Sequence, residues 1–332
     1  MFCAGPPGAD GTGGSHGEPL RVAVAGRQVF EGSSDAALDP MLRVYLSDMV
    51  APYGLALRED LLNEGRGQSY GEMAGALLTP AVPPDQPVDL IVLAFAVHDV
   101  IPGRSTAAHL SYLCPGAPMA FAVCDQGAAA PFTALRLIRE YTRTASCQRA
   151  LLVVVEQATL HYELAAASVM TSSALPTRNA AVLLLCGPAG AGRLETVRQH
   201  AGVSAAQAGD LLASELPALA AGRDDVTLIA GDGLARLSGA PAVDQVLVAP
   251  AGQPSTGVWW ELAGALPEWT ARGRRVLLAA YEPELRYLCV SAIDVEASPV
   301  VTSPVVTSTV VTSTAVTSTA AAAPRLTAQQ VP

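Results

Sequence analysis

The residues best placed for chemistry lie at the end of the segment PMAFAVCDQG, residues 118–127. Its apolar run predicts a buried strand that ends near Cys124, and Asp125, Gln126 and Gly127 form a turn before an alanine-rich helical pattern. A strand, a tight turn and a helix can hold a nucleophile at the mouth of a pocket, where the helix dipole stabilises an anion. Cys124 is therefore a candidate nucleophile. A cysteine that ends a strand is more commonly a small buried residue, and we favour that interpretation.

The histidines are the next candidates, because an imidazole can activate a thiol. Five occur in the chain. His98, next to Asp99 in AVHDV, and His161 lie near the ends of predicted strands, so we keep both as candidate partners of Cys124. Histidines in such positions more often have a structural role. His200 lies in a predicted polar connector and is a weaker candidate.

The chain contains no lysine, so its 20 basic residues are all arginine. This composition excludes Schiff-base chemistry, lysine anchoring of pyridoxal phosphate and the lysine of a phosphate-binding loop. The segment GPAGAGRLETV has the glycine spacing of such a loop, but Arg193 and Leu194 stand where lysine and a hydroxyl residue are needed. We interpret it as a turn-rich connection, and we expect no cofactor.

The net charge and the spacing of the cysteines argue against several classes of protein. The formal net charge of −10 argues against nucleic-acid binding, which usually requires a basic face. The six cysteines form no C-x-x-C pair, so we expect neither a metal site nor a disulfide framework. No apolar run reaches the roughly 20 residues of a membrane span, and the N-terminus lacks a secretory pattern. We expect a cytoplasmic protein without a membrane segment.

Apolar strands alternate with helical segments through most of the chain. We predict a disordered Gly/Pro-rich leader over 1–19, two α/β halves over 20–175 and 176–296, and a low-complexity tail over 297–332. In the tail, VVTSPVVTSTVVTSTAVTST repeats every five residues and carries no charge. Continuous apolar strands separated by helices predict a layered α/β domain whose sheets are covered on both faces.

Several segments taken together resemble the thiolase superfamily, and especially its ketoacyl-ACP synthase III (condensing-enzyme) branch. VDLIVLAFAV, STAAHLSYLC, PMAFAVCDQG and RALLVVVEQA follow the order of that branch's first half, which has a cysteine elbow and a strand ending in an acidic residue. APAGQPSTGVWWELAGAL, RRVLLAAYE and RYLCVSAIDVE resemble its second half. The resemblance spans about residues 20–296 and implies a layered αβαβα fold built from two similar halves.

The resemblance also implies a catalytic triad. In this family a cysteine thiolate at a helix N-terminus takes the acyl group, a histidine and an asparagine assist decarboxylation and bind the enolate oxygen, and backbone N–H groups form an oxyanion hole. The matching positions here are Gly127 for the cysteine, Gly231 for the histidine and Gln253 for the asparagine. The resemblance therefore implies a degenerate triad.

With the triad absent, the resemblance implies a non-catalytic subunit in acyl or polyketide chain assembly. Its expected partners are a second copy in a homodimer or a catalytic ketosynthase in a heterodimer, together with an acyl carrier protein or acyl-CoA. Two alternatives stay open. One is an active acyltransferase that uses Cys124 with His98 or His161, and the other is a non-enzymatic binder of acyl ligands. Arg104 and Arg178 are candidate contacts for a CoA phosphate or a carrier protein's acidic face, or are solvated surface residues.

Overall fold

The computed structural model describes residues 19–101, 103–144, 146–163, 175–237, 243–297 and 306–307. The expected leader and tail therefore lie almost entirely outside the described residues. The first ten elements are β1 (Arg21–Phe30), α1 (Pro40–Val50), α2 (Glu59–Asn63), α3 (Tyr70–Ala81), β2 (Leu90–Ala94), α4 (Thr106–Leu113), β3 (Met119–Val123), α5 (Ala130–Arg143), β4 (Ala150–Glu156) and β5 (Asn179–Gly187). The others are β6 (Gly192–His200), α6 (Ala205–Ala220), β7 (Val226–Ala230), β8 (Gln245–Val248), α7 (Gly257–Trp269), β9 (Arg274–Glu282), β10 (Tyr287–Val295) and β11 (Val306–Thr307).

The strand order repeats one topology twice. The order is β3-β2-β4-β5-β1 and then β6-β10-β9-β7-β8, so that β1 to β5 correspond to β6 to β10. The pairing directions agree as well. In the first half, β2 is parallel to β3 and β4, and β5 is antiparallel to β4 and β1. In the second half, β7 is parallel to β8 and β9, and β10 is antiparallel to β9 and β6. By strand order β5 completes the first unit and β6 begins the second.

Five layers follow from the contacts between helices and strands. Helices α5 and α7 lie between the two halves of the sheet, where α5 contacts β2, β4, β6 and β10 and α7 contacts β1, β5, β7 and β9. Helices α3 and α4 cover the outer face of the first half, and α6 covers the outer face of the second. The order is therefore helix, sheet, helix, sheet, helix.

Strands β2 and β4 are almost continuously apolar, because helices cover both of their faces. Every residue of β2 and of β4 is buried. The largest hydrophobic cluster lies in the central layer, where Phe132 of α5 packs against Trp259 of α7 with ring centroids 5.1 Å apart. This contact ties the central helices of the two halves together.

The central layer gives a testable prediction. Phe132→Ala should lower the free energy of unfolding by about 3–5 kcal/mol, because it leaves a cavity between two helices that cannot collapse together. Chemical denaturation measures the change. Tyr53→Ala is the matched control, since Tyr53 is 77% exposed and should change stability by less than about 0.5 kcal/mol. Equal losses in the two variants would contradict this packing.

Candidate functional site

A tight elbow connects β3 to the central helix α5. Asp125 and Gly127 both have left-handed backbone conformations, with φ values of 58° and 50°, and a short 3-10 turn from Gly127 to Ala129 leads into the helix. Such φ values favour glycine and are tolerated by Asp. The elbow turns the chain so that the Ala128 N–H, just before α5, points to a buried side chain of the second half.

A polar network holds the elbow against the second half. The Thr133 hydroxyl donates to Gln126 Oε1 at 2.6 Å, and Gln199 Nε2 of β6 donates to the Thr133 oxygen at 2.9 Å. Arg136 donates to Gln199 Oε1 at 2.7 Å. Gln126 therefore acts as a turn residue whose side chain is fixed by hydrogen bonds.

The space next to Gly127 is occupied by a carboxylate. A Cβ atom at Gly127 would overlap Oε2 and the carboxyl carbon of Glu282. Glu282 ends β9, is 7% exposed, and accepts hydrogen bonds from the Ala128 N–H at 2.9 Å and the Glu284 N–H at 3.2 Å. Burial raises the pKa of Glu282, while these two N–H groups oppose the rise. A side chain at position 127 and the Glu282 carboxylate cannot share this place.

Two of the three positions matched to the family triad line one cavity of about 290 Å³, and the third, Gly127, precedes a lining residue. Gly231, Gln253 and Glu282 line it, and so does Ala128, the residue that follows Gly127. The other lining residues are mostly small or apolar: Ala205, Asp232, Gly233, Ala249, Gly252, Pro254, Val258, Ala280, Tyr281 and Pro283. Among the described residues, its wall includes two acidic side chains and no arginine or histidine.

Hydrogen bonds connect Gln253, in the cavity wall, to a second buried carboxylate. Gln253 Nε2 donates to the Thr256 hydroxyl oxygen at 3.1 Å, and that hydroxyl donates to Glu156 Oε1. Glu156 Oε2 also accepts the N–H groups of Ser255 at 3.0 Å and Thr256 at 3.3 Å. Glu156 is fully buried, and desolvation raises its pKa to about 7 against these donors.

The two carboxylates are equivalent in the repeated topology. Glu156 ends β4 and binds the N–H groups that precede α7, whereas Glu282 ends β9 and binds the N–H group that precedes α5. Each acid therefore reaches from one half of the fold to the central helix of the other. A negative charge at a helix N-terminus is favourable, because the unpaired N–H groups and the helix dipole stabilise it.

Cys124 lies at the end of β3, outside this cavity, and is half-buried. The Cys124 thiol donates a hydrogen bond to Asp125 Oδ2 at 3.3 Å, within the described part of the chain. Burial, followed by the Asp125 hydrogen bond and charge, raises the pKa of the Cys124 thiol. The environment therefore favours the neutral thiol over the nucleophilic thiolate.

The two candidate imidazoles have other partners. The His98 ring stacks on Tyr162 with centroids 5.8 Å apart, and its Nε2 is 3.1 Å from the Tyr162 hydroxyl oxygen. His161 is buried, and its Nε2 is 2.7 Å from the Arg66 carbonyl oxygen. Burial lowers the pKa of both rings. Across the described ranges, neither imidazole is hydrogen-bonded to the Cys124 sulfur.

The remaining sequence candidates lie away from the cavity. Arg104 is exposed in the loop between β2 and α4, and Arg178 is exposed just before β5. Arg193, in the glycine-rich segment GPAGAGRLETV, belongs to β6 and forms ion pairs with Glu195 at 2.8 Å and Asp294 at 3.2 Å. Within the described residues, no group of three His, Cys, Asp or Glu side chains could hold a metal ion.

Sequence reasoning missed Glu282 and gave Glu156 no chemical role. The available signal was the pattern itself, because VVVE and AAYE both end a continuous apolar strand with a glutamate. An acidic residue in that position is buried with the strand end, so it needs hydrogen-bond donors from a neighbouring element. The partner of each glutamate could not be read from the local sequence.

Several solved structures are similar to this chain over most of its length. A tetronic acid condensing enzyme, AbyA1, has a TM-score of 0.57 at 16% identity and covers 82% of this chain and 99% of that chain. The acyltransferase ChlB3 has a TM-score of 0.56 at 15% identity, over 84% of this chain and 98% of that chain. FabH, the 3-oxoacyl-(acyl carrier protein) synthase III of Pseudomonas aeruginosa, has a TM-score of 0.55 at 16% identity, over 84% and 99%.

These likenesses show the fold. The chain has the thiolase-like, ketoacyl-ACP synthase III-like α/β fold, as the sequence predicted. No family model and no curated protein sequence matches it. Among the described residues, no helix has the length and apolar character to cross a bilayer.

The buried Glu156 gives a pH prediction. Its pKa of about 7 in the native state, against an ordinary 4.5, means that the native state binds a proton more readily than the unfolded chain. The stabilisation that comes from protonating Glu156 in the native state is therefore complete below about pH 4.5 and is lost as the pH rises through about 7. Glu156→Gln should reduce the fall in unfolding free energy between pH 5 and pH 8 by about 2–3 kcal/mol.

Urea unfolding at both pH values measures this difference. Glu31→Gln is the control, because it removes an exposed carboxylate by the same chemical change. Glu282 remains in both variants, so its contribution cancels. If Glu156→Gln and Glu31→Gln show the same slope with pH, Glu156 does not titrate as described.

Proposed function

We propose that this chain is a non-catalytic, condensing-enzyme-like subunit that supports acyl or polyketide chain assembly by pairing with a catalytic ketosynthase. The observation that carries the proposal is the Glu282 carboxylate in the space next to Gly127. A subunit with a carboxylate in that place cannot hold an acyl group there as a thioester. The shape of the fold is retained while the reactive group is absent.

The chemistry around the cavity agrees with a non-catalytic role. The Ala128 N–H, which could otherwise bind a developing oxyanion, already donates to Glu282. Enolate or thiolate charge in the cavity would meet the Glu282 and Asp232 side chains with no described cation in the wall. The site therefore disfavours the anionic states that a condensation reaction passes through.

The surface for the partner is the edge strand β3. It is the terminal strand of the sheet order, so its outer N–H and C=O groups are available for pairing. Met119 of β3 and Tyr112 and Leu113 of α4 expose large apolar side chains, with Tyr112 86% exposed. The resemblance to thiolase-fold proteins implies pairing through this strand, which would continue the sheet into the partner.

The partner would supply the nucleophile, and an acyl carrier protein or acyl-CoA would deliver the chain to it. The similar solved structures include a condensing enzyme, an acyltransferase and a 3-oxoacyl-(acyl carrier protein) synthase, which supports acyl transfer as the process in which the pair acts. Arg104 and Arg178 are exposed, and we assign them as contacts for the carrier protein or a CoA phosphate. The Cys124 acyltransferase alternative is less supported, because no imidazole among the described residues is hydrogen-bonded to the Cys124 thiol.

The test is co-expression with a cysteine-bearing ketosynthase homologue, followed by size-exclusion chromatography and intact-mass analysis after addition of acyl-CoA. We expect a stable heterodimer, with the acyl adduct on the homologue only. The double variant Met119→Lys, Tyr112→Lys should reduce co-purification at least tenfold, because it places charges on the apolar pairing surface.

Val248→Lys is the matched control, since Val248 is an exposed apolar residue on β8, the opposite terminal strand. A chain that stays alone in solution with every homologue tried would overturn the subunit proposal. An adduct on this chain that Cys124→Ala removes would establish the acyltransferase alternative. Tight acyl-CoA binding without a partner or turnover would establish the ligand-binding alternative.

A further inference from the structure

A large cavity lies along helix α7 and has no role in the proposed function. Its volume is about 720 Å³, which is within the range of small-molecule binding sites. Arg27 of β1, strand β8, one face of α7 and the turn that leads into β9 form its wall. Among the described residues, this wall has no member in common with the wall of the cavity beside Glu282. The two cavities are therefore separate sites.

The Arg27 side chain is held in place against α7. Its guanidinium carbon is 4.6 Å from the centroid of the Trp260 ring, and its Nη1 donates to the Trp260 carbonyl oxygen at 2.6 Å. The guanidinium also lies close to the helix at Gly264, where a Cβ atom would come within 2.5 Å of Arg27 Nη1. Glycine inside a helix is unfavourable, and this close approach requires it. The guanidinium is therefore positioned before any ligand binds.

The charge of Arg27 is not balanced by an ion pair within the part of the chain that the structure describes. Arg27 is half-buried, and burial lowers its pKa, while the charge of Glu261 opposes that change from beyond ion-pair distance. Burying a cation without a counter-charge is unfavourable, so an anion in the cavity would be stabilised. Arg272, which is exposed, adds another positive charge to the wall.

The other charged groups of the wall limit the charge of the ligand. Arg274 is already paired with Asp244, and Glu261 and Glu268 bring two negative charges to the wall. A polyphosphate would be repelled by these two glutamates, whereas a single carboxylate can bind Arg27 with little repulsion. The wall therefore favours a ligand with one negative charge.

The rest of the wall supplies aromatic and apolar surface. Trp260 and Trp269 line the cavity, together with Leu247 of β8 and Ala265 of α7. Tryptophan rings pack well against other aromatic rings, and a guanidinium can bind a carboxylate through two parallel N–H groups. These features together indicate a ligand that has an aromatic body and one carboxylate.

We propose that this cavity is a binding site for a small aromatic carboxylate. Arg27 binds the carboxylate, and Trp260 and Trp269 contact the aromatic body. The cavity beside Glu282 would disfavour the same anion, because acidic side chains line it. This inference does not depend on the proposed function.

Isothermal titration calorimetry on the full-length protein tests the proposal, with 1-naphthoate as the probe. We expect one naphthoate per chain, bound at least about tenfold more tightly than 1-naphthamide, which has the same rings without the charge. Arg27→Gln should lower the naphthoate affinity at least about tenfold and remove the preference over naphthamide. Arg143→Gln is the matched control and should bind naphthoate like the wild type, since Arg143 is exposed at the end of α5 and outside the described wall.

The proposal would be overturned if the wild type does not bind naphthoate, or binds naphthoate and naphthamide equally. Equal naphthoate binding by the two arginine variants would place the probe elsewhere and would also overturn it. Tighter binding of pyrophosphate than of naphthoate would contradict the ligand class.

A second variant decides the question if circular dichroism shows that Arg27→Gln does not fold. Gly264→Ala keeps every charge of the wall, but its methyl group displaces the Arg27 guanidinium. We expect it to bind naphthoate at least about tenfold less tightly than the wild type. An unchanged affinity would show that Arg27 does not bind the carboxylate.

Discussion

The structure depends on two carboxylates that each bind the start of a central helix across the boundary between the halves. Glu156 reaches from β4 to the residues before α7, and Glu282 reaches from β9 to the residue before α5. Both are buried in the middle of the molecule, where an unpaired charge would be costly. Backbone N–H groups satisfy each acid, so the helix N-termini and the carboxylates stabilise one another.

The equivalent placement of the two carboxylates determines which groups lie in the candidate site. The resemblance implies that a condensing enzyme would hold its reactive sulfur at one of these two helix N-termini, and here Glu282 binds that N-terminus as Glu156 binds the other. The resulting cavity is small, lined largely by glycine, alanine and proline, and acidic. Under the proposed function, the fold would serve to pair with a partner while this chain itself carries out no condensation chemistry.

Much of the fold could be predicted from sequence, because continuous apolar strands such as β2 and β4 identify a sheet covered on both faces. The segment Gly192–His200 was predicted as a connection but is strand β6. Its buried residues do not alternate strictly with polar ones, because its pairing with β10 shifts register between Leu194 and Thr196, so the sequence lacks a clear strand pattern. The elbow at Asp125–Gly127 was visible from its turn residues. The contact between Glu282 and the Ala128 N–H was not, since 154 residues separate the two in sequence.

The most direct test of the central claim is a double-mutant cycle between Gly127 and Glu282, measured by chemical denaturation. Gly127→Ala alone should cost several kcal/mol (about 3), because the new methyl group meets the carboxylate at a left-handed φ. With Glu282→Gly in the background, that cost should fall by about 2 kcal/mol, which is a coupling typical of residues in contact. Additive effects within about 0.5 kcal/mol would show that the carboxylate does not occupy the place beside Gly127.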